Sequence, residues 1–165
     1  MRVPLCLLSS AMLASFAAFA SQNDCTYDQS HQIEVLQEIA SRRPGAVLAE
    51  DERTVRWTDE DGSETVVRYG GCDHLGFMVS STRVRTEESP EAEVLRVARS
   101  LAREFWHESD AKDLEQVVAA REFEKEAMPS GVVYRLEHES YDEFVVEHEL
   151  VDGRERIAIR WARSF

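Results

Sequence analysis

The chain has 165 residues, 43% of them hydrophobic, and a formal net charge of −13 at pH 7. This length and apolar content suit one domain with its own core. The acidity excludes nucleic acid and anionic lipid surfaces as partner classes, because both would be repelled; it serves solubility or docking onto a basic protein.

Residues 1–20 have the layout of a cleaved secretory signal peptide. A short basic start is followed by the nearly unbroken apolar run 3–19, which ends in small residues at the positions that signal peptidase reads. We predict cleavage between Ala20 and Ser21, so that residues 21–165 are exported to a bacterial periplasm or to the extracellular space. A retained membrane anchor is the alternative, but the apolar run is at the short limit for a bilayer span.

The mature chain keeps two cysteines, Cys25 and Cys72. In an oxidising compartment an even pair predicts a disulfide. This bridge would close a loop of about 48 residues and stabilise the domain by about 4 kcal/mol in the chain-entropy model. The alternatives are a free thiol or a nucleophilic Cys72. Cys25 follows no lipobox, so no lipid anchor is predicted.

The first half of the mature chain predicts one helix and four short strands. Apolar residues recur at helical spacing over 29–42, and a Pro-Gly pair ends this helix. Runs of alternating apolar and polar residues then predict strands. A loop at 59–62 would set Val55 opposite Val67. The four predicted strands cover residues 46–49, 53–58, 64–69 and 75–85.

Two further helices are predicted in the middle of the chain. Three consecutive residues from Ser89 are typical of a helix start: a capping hydroxyl, a proline suited to the first helical position, and an acid facing the helix dipole. They predict a helix that runs to Trp106. A second helix begins with a cap at Ser109 or Asp110 and ends within 121–127. The glutamates at its end are interpreted as a solvated face.

The last third predicts a three-stranded meander. Asp152-Gly153 between alternating runs is typical of a two-residue hairpin turn, which sets Val146 opposite Ile159. A three-residue loop at 140–142 would set Tyr134 opposite His148. Both turns place the same apolar residues on one face, which supports the register. That face holds Val132, Tyr134, Leu136, Phe144, Val146, Leu150, Ile157, Ile159 and Trp161.

These elements predict one α+β domain over residues 21–165. Its antiparallel sheet would combine N-terminal hairpins with the C-terminal three-stranded meander, and about three helices would pack on the apolar face. The opposite face would carry Arg135–Glu147 and Glu149–Arg156 as charge pairs. The halves 21–88 and 89–165 resemble each other in element order, although no residue-level repeat supports a duplication.

Residues 70–76 concentrate glycine, cysteine, acid and histidine. Cys72 near His74 suits a thiolate with a nearby base, and Asp73 with His74 suits an acid–base pair. Either arrangement would make the protein a small secreted hydrolase. A glycine-rich turn that carries the disulfide explains the same residues, so no catalytic residue is assigned.

No metal or cofactor is predicted. A metal site needs three or four converging ligands, and in the expected register His138 and His148 lie two rows apart. The acidic stretch 59–64 lacks the ligand spacing of a calcium-binding loop. The sequence contains no nucleophile elbow and no phosphate-binding glycine loop.

A non-enzymatic protein-binding module is therefore the leading hypothesis, with an inhibitor, an immunity factor or an envelope adaptor as the types. Export, one disulfide, small size and strong acidity motivate it, and the partner would be a basic envelope or secreted protein. The docking surface would be the acidic loops at 50–52 and 59–61, with an aromatic anchor. The residues of that predicted surface are Trp57, Asp59, Asp61 and Tyr141. The alternative is the small secreted hydrolase.

Overall fold

The computed structural model describes residues 28–70, 74–85 and 87–164, and of His74 it describes the backbone alone. The predicted signal peptide, its Ala20–Ser21 cleavage site and the Cys25–Cys72 disulfide lie outside the described residues. Within them, three helices pack on one face of an eight-stranded antiparallel sheet. The predicted α+β class is confirmed, with a larger sheet than expected.

The chain passes through one helix and four strands, and then through two helices and four strands. In the described ranges no helix is long and apolar enough to cross a membrane. The elements are α1 Ser30–Arg42, β1 Val47–Leu48, β2 Thr54–Thr58, β3 Glu64–Gly70, β4 His74–Val84, α2 Glu91–Phe105, α3 Glu108–Ala120, β5 Phe123–Met128, β6 Gly131–Leu136, β7 Glu143–Val151 and β8 Arg154–Ser164.

The sheet consists of two meanders that meet in the middle. The strand order is β1-β2-β3-β4-β8-β7-β6-β5, so each half of the chain supplies four neighbouring strands. The halves join where β4 pairs with β8 in antiparallel register, with Val79 opposite Ile159. This arrangement places β1 and β5 at the two edges of the sheet.

The core lies between the helices and one face of the sheet. A row of apolar side chains crosses six strands at 0–1% exposure, and full burial of one valine or isoleucine contributes about 1.5–3 kcal/mol. The amphipathic helices cover this row; Leu36 of α1 and Val94 of α2 are fully buried. The row contains Val55, Val67, Val79, Ile159, Val146 and Tyr134.

The other side of the sheet, here called the open face, has none of the described helices over it. Alternation along the strands places six arginines and six glutamates there, so the charge of this face is balanced. These residues are Arg56, Arg68, Arg135, Arg154, Arg156, Arg160, Glu64, Glu124, Glu126, Glu143, Glu147 and Glu149.

The predicted hairpin registers are confirmed at two turns. Val55 lies opposite Val67, and Val146 lies opposite Ile159. The predicted pairing of β6 is wrong by two residues, since Tyr134 lies opposite Val146. The reason is the longer loop 137–142 before β7.

A shift of two residues keeps each side chain on its own face. The predicted apolar face therefore holds, but one predicted charge pair does not. Arg135 lies opposite Val145 and forms its ion pair with Glu126, at 2.9 Å, rather than with Glu147. The other predicted pair, Glu149–Arg156, is present at 3.2 Å.

Strand β5 was not predicted, and the C-terminal meander has four strands. Helix α3 ends earlier than expected because Arg121 adopts the left-handed conformation, with φ of 59°, and its N–H caps the helix. The residues of β5 include Glu-Lys-Glu, which has low strand propensity. Its exposed glutamates, Glu124 and Glu126, are solvated as expected, but on a strand.

Both predicted helix caps are displaced. Pro90, not Ser89, occupies the N-cap of α2, and no side chain caps this helix. Ser89 contributes elsewhere, since its N–H donates to Glu155 Oε1 at 3.1 Å. Helix α3 begins before Ser109, with His107 as its N-cap. His107 Nδ1 accepts the Ser109 N–H at 3.3 Å. Imidazole is an uncommon cap, which explains why the hydroxyl was preferred from sequence.

Candidate functional site

The β2–β3 turn brings together three of the four predicted docking residues. Asp59 Oδ1 accepts the Trp57 indole N–H at 2.8 Å, and Asp59 Oδ2 accepts the Thr65 hydroxyl at 2.8 Å. Asp61 Oδ1 accepts the Ser63 amide at 2.9 Å and the Ser63 hydroxyl at 2.6 Å. These hydrogen bonds hold both carboxylates in fixed orientations. The contacts of Ser63 also lower the pKa of Asp61, which keeps it ionised.

Trp57 is not available as an aromatic anchor, which corrects the prediction. Its side chain points into the core and the residue is 5% exposed. The ring packs against Phe105, with centroids 5.6 Å apart, and Arg43 lies over it at 5.5 Å from the ring centroid. Arg43 also forms an ion pair with Glu104. The indole therefore joins β2 to α1 and α2, instead of reaching into a partner.

A shallow depression lies beside this turn. It has a volume of about 480 Å³ and is lined by Arg43, Pro44 and residues 57–61. The lining combines one arginine with three carboxylates, so the depression has an acidic wall. It is the largest of the described depressions that bear on the predicted docking surface.

The second predicted acidic loop lies at the other end of β2. Asp51 Oδ1 accepts the Arg53 N–H at 2.9 Å, which orders the loop 50–52. Because β2 has five residues, this loop and the β2–β3 turn are separated by roughly 17 Å along the strand. Between them, Val47 of β1 is 52% exposed. We call residues 50–52, residues 59–61 and Val47 the acidic edge.

The carboxylates of the acidic edge differ from those of the open face in their partners. No ion pair in the described part of the chain involves residues 50–52 or 59–61. On the open face, Arg160 contacts Glu143 and Glu147 at 3.0 Å each, so these charges neutralise one another. Because the open face is balanced, the acidic excess of the protein lies on its loops and helices.

Tyr141 lies in the loop before β7, and β7 is four strands away from β2, which carries Trp57. The predicted docking residues therefore do not form one patch. Its hydroxyl is 2.9 Å from Asp110 Oδ1 and 2.8 Å from Asp113 Oδ2. Arg163 donates to Asp110 Oδ1 at 2.6 Å and lies over the tyrosine ring at 4.2 Å from its centroid. Burial and the two carboxylates raise the pKa of Tyr141, so it remains a neutral donor that ties the β6–β7 loop to α3.

A buried ionic cluster that was not predicted lies where β4 leads into α2. Glu155 is 0% exposed and accepts hydrogen bonds from Arg83 Nε at 2.7 Å and from the Ser89 amide at 3.1 Å. His148, 1% exposed, places Nε2 at 3.0 Å from the same carboxylate. Burial alone would raise the pKa of Glu155, but the bonds from Ser89, Arg83 and His148 outweigh it and lower that pKa to about 2.

This cluster fastens the two halves of the protein to each other. Arg83 and Glu155 face one another across the β4–β8 seam, and Ser89 leads into α2. An ionised carboxylate that accepts three hydrogen bonds stabilises the fold and is a poor proton acceptor. The sequence contained a signal for it: the register that follows from the Asp152-Gly153 turn sets Glu155 opposite Leu150, and therefore on the apolar face.

Cys72 and Asp73 lie outside the described residues, and the backbone of His74 pairs with Ser164. The disulfide and the hydrolase hypothesis therefore stay predictions. Among the described residues, no three His, Cys, Asp or Glu side chains gather in an arrangement that could hold a metal ion.

No protein-family model, no curated protein and no solved structure matches this chain. The class that the fold defines is an α+β domain with an eight-stranded antiparallel sheet, covered by helices on one side. Three sets of its described ionisable groups bear on function: the buried clusters that hold elements together, the ion pairs on the open face, and the carboxylates of the acidic edge, which form no ion pair within the described ranges.

Proposed function

We propose that this chain is an exported, non-enzymatic protein-binding module whose acidic edge docks onto a basic surface of an envelope or secreted protein. Inhibitors, immunity factors and envelope adaptors are the types that fit this description. One observation carries the proposal: the carboxylates at 50–52 and 59–61, all exposed except the half-buried Asp59, form no ion pair among the described residues. On the open face, by contrast, Glu143, Glu147 and Glu149 are all paired with arginines.

Unpaired carboxylates at one margin of the sheet suit recognition of a basic partner. Their summed field accelerates encounter with positive surfaces and repels acidic ones. Asp59 and Asp61 are held by internal hydrogen bonds, so little side-chain freedom is lost on binding. Val47, half exposed between the two loops, supplies an apolar contact in place of the buried Trp57.

The buried ionisable groups support a binding role over an enzymatic one. Glu155 and Asp110 are both buried, and each is engaged by an arginine and by a second donor. Their chemistry is therefore used to join elements of the fold. The hydrolase alternative rests on Cys72 with Asp73 and His74, and it requires a free thiol. Mass spectrometry that finds a Cys25–Cys72 bridge in the mature protein would exclude the nucleophile.

The proposal is tested by capture of the partner with matched charge variants. The edge variant E50Q/E52Q/E60Q removes three exposed acidic charges from the acidic edge. The control variant E34Q/E87Q/E139Q removes three exposed acidic charges elsewhere. Both changes leave the core and the hydrogen-bonded Asp59 and Asp61 intact.

We expect the wild-type chain and the control to capture the same protein from envelope extract at low salt, and to lose it at high salt as the charges are screened. The edge variant should fail to capture it at either salt concentration. Equal capture by both variants, or capture that is insensitive to salt, would contradict the proposal.

A further inference from the structure

The opposite margin of the sheet offers a free backbone edge. Strand β5 ends the strand order, and among the described strands it pairs with β6 alone. All its residues after Phe123 are exposed. By contrast, β1 at the other margin is two residues long. An exposed edge strand presents unpaired N–H and C=O groups that can accept a further strand.

The hydrogen-bond pattern identifies which groups point outward. The Glu137 N–H donates to the Glu122 carbonyl at 3.1 Å, so the Glu122–Glu137 pair is a hydrogen-bonded one. In an antiparallel ladder such pairs alternate with pairs whose backbone groups point away from each other. The N–H and C=O groups of Phe123, Lys125 and Ala127 therefore point away from β6, toward solvent.

The side chains beside this edge are acidic on the open face, whereas on the helix face Phe123 and Ala127 flank Lys125, which pairs with Glu91. On the open face, Glu126 pairs with Arg135, and Glu124 has no ion pair within the described ranges. On the helix face, Phe123 lines a groove of about 270 Å³ between α2 and α3. Glu91, Arg99 and Arg121 form the rest of its lining, and the apolar residues of that groove are Ala92, Leu95, Val118, Ala119 and Phe123.

Charge argues against a second copy of this chain as the occupant. Antiparallel pairing of two β5 strands about Lys125 would set Glu124 opposite Glu126 twice and Lys125 opposite Lys125. Like charges directly opposite one another destabilise a strand pair. A segment with basic side chains on one face and apolar side chains on the other is complementary to this edge.

We propose that β5 binds an extended, basic segment of the partner protein as an additional strand of the sheet. Basic side chains of that segment lie over Glu124 and Glu126, and an apolar side chain of its other face enters the groove beside Phe123. The inference rests on the proposed function for the basic character of the partner. It adds a backbone-mediated contact at the margin of the sheet opposite the acidic edge.

The test uses the mature chain and a blocked synthetic peptide of alternating lysine and valine. Amide hydrogen exchange is measured by NMR with and without this peptide. We expect slower exchange of the Lys125 and Ala127 amides on binding, with no change at Val47 and Leu48. A control peptide with N-methylated backbone positions should not bind, because it cannot donate the ladder hydrogen bonds.

Ala127→Pro removes an outward N–H without removing a bond to β6, and Ala127→Val is its matched control. We expect loss of peptide binding in A127P and retention in A127V. Glu124→Lys, at an exposed position, should also lose the peptide and keeps the test valid if A127P folds poorly.

Three results would overturn the inference: no peptide binding by the wild-type chain, protection confined to residues outside β5, or wild-type affinity in both A127P and E124K. The variant E50Q/E52Q/E60Q separates the two proposals. Suppose that this variant no longer captures the partner protein, while A127P and E124K still bind the peptide as the wild type does. In that case the proposal of an added strand at β5 is contradicted, and the proposal of docking at the acidic edge is supported. If this variant still captures the partner protein, the proposal of docking at the acidic edge is contradicted.

Discussion

The two margins of the sheet occupy equivalent places in the strand order but present different chemistry. The first margin ends in the two-residue β1 and carries acidic loops at both ends of β2. The second ends in the six-residue β5, exposed from Glu124 onward. One margin offers side-chain charge with little free backbone, and the other offers free backbone beside a groove lined by both apolar and charged residues.

This difference shows how one fold can divide recognition between its ends. A short edge strand limits unwanted pairing, so the first margin can display charge without adding strands. The second margin carries Glu124, Lys125 and Glu126, which oppose pairing with a second copy of the chain. Both margins depend on the β4–β8 seam, which holds the halves in one sheet.

The largest expected effect on stability comes from removing Glu155, at the pairing of β4 with β8. Glu155→Ala leaves the buried His148 and the Ser89 amide without their carboxylate, whereas the half-buried Arg83 keeps Glu93 as a partner. We expect the free energy of unfolding to fall by about 3 kcal/mol, because hydrogen bonds to a charged group are lost. Urea denaturation followed by tryptophan fluorescence measures this. A loss below about 1 kcal/mol would mean that the two halves hold together without the cluster.

The same cluster predicts a dependence of stability on pH. The pKa of Glu155 is about 2 in the folded protein, against an ordinary glutamate pKa of 4.5 in the unfolded chain. A lowered pKa contributes stability that is present above pH 4.5 and is lost as the pH falls toward 2, by about 3 kcal/mol in total. Urea midpoints of the wild type and Glu155→Gln should therefore converge between these pH values. Parallel curves would contradict the assignment.

Proline substitutions compare the inner and outer sides of β5. Glu126→Pro removes a bond to β6 and should cost about 1–3 kcal/mol in unfolding free energy. Ala127→Pro removes an outward N–H and should cost less. Urea denaturation of both variants measures the difference. Equal losses would contradict the assigned alternation of hydrogen bonds, and with it the free edge.

At the first margin, Trp57→Phe tests whether the indole serves the fold or the partner. The change removes the hydrogen bond to Asp59 and should lower the unfolding free energy by about 1 kcal/mol. Capture of the partner should persist, because the ring is buried. A folded W57F protein that no longer captures its partner would restore Trp57 as an anchor.

The smallest expected effect on stability is at Val47. Because this side chain is half exposed, Val47→Ser should change the unfolding free energy by less than about 0.5 kcal/mol. Capture of the partner should nevertheless weaken, since the acidic edge would lose its apolar contact. Undiminished capture by V47S would remove Val47 from the docking surface.

Most of the fold could be predicted because its strands alternate cleanly and its turns have strong local signatures. Asp152-Gly153 fixed one hairpin register, and Val55 opposite Val67 followed from the turn at 59–62. Strand β5 could not be predicted, because an exposed edge strand buries few side chains and needs no apolar alternation. The β6 register failed for a related reason: the loop 137–142 has no turn signature of its own.

The candidate site could be predicted only in part. Local hydrogen bonds around Asp59 and Asp61 follow from their turn, but the burial of Trp57 depends on α1 and α2, which are remote in sequence. Glu155 was visible as an acid on an apolar face. Its partners Arg83 and Ser89 come from the other side of the β4–β8 pairing. That pairing could not be predicted, because the turns within each meander do not indicate how the two meanders join.

The most direct test of the acidic edge is zero-length carboxyl–amine cross-linking of the captured complex, mapped by mass spectrometry. This chemistry joins carboxylates to lysine amines that are already in contact. We predict cross-links from residues 50–52 and from Glu60 and Asp61 to lysines of the partner. Cross-links from Glu34, Glu87 and Glu139, with none from the acidic edge, would contradict the proposed docking surface.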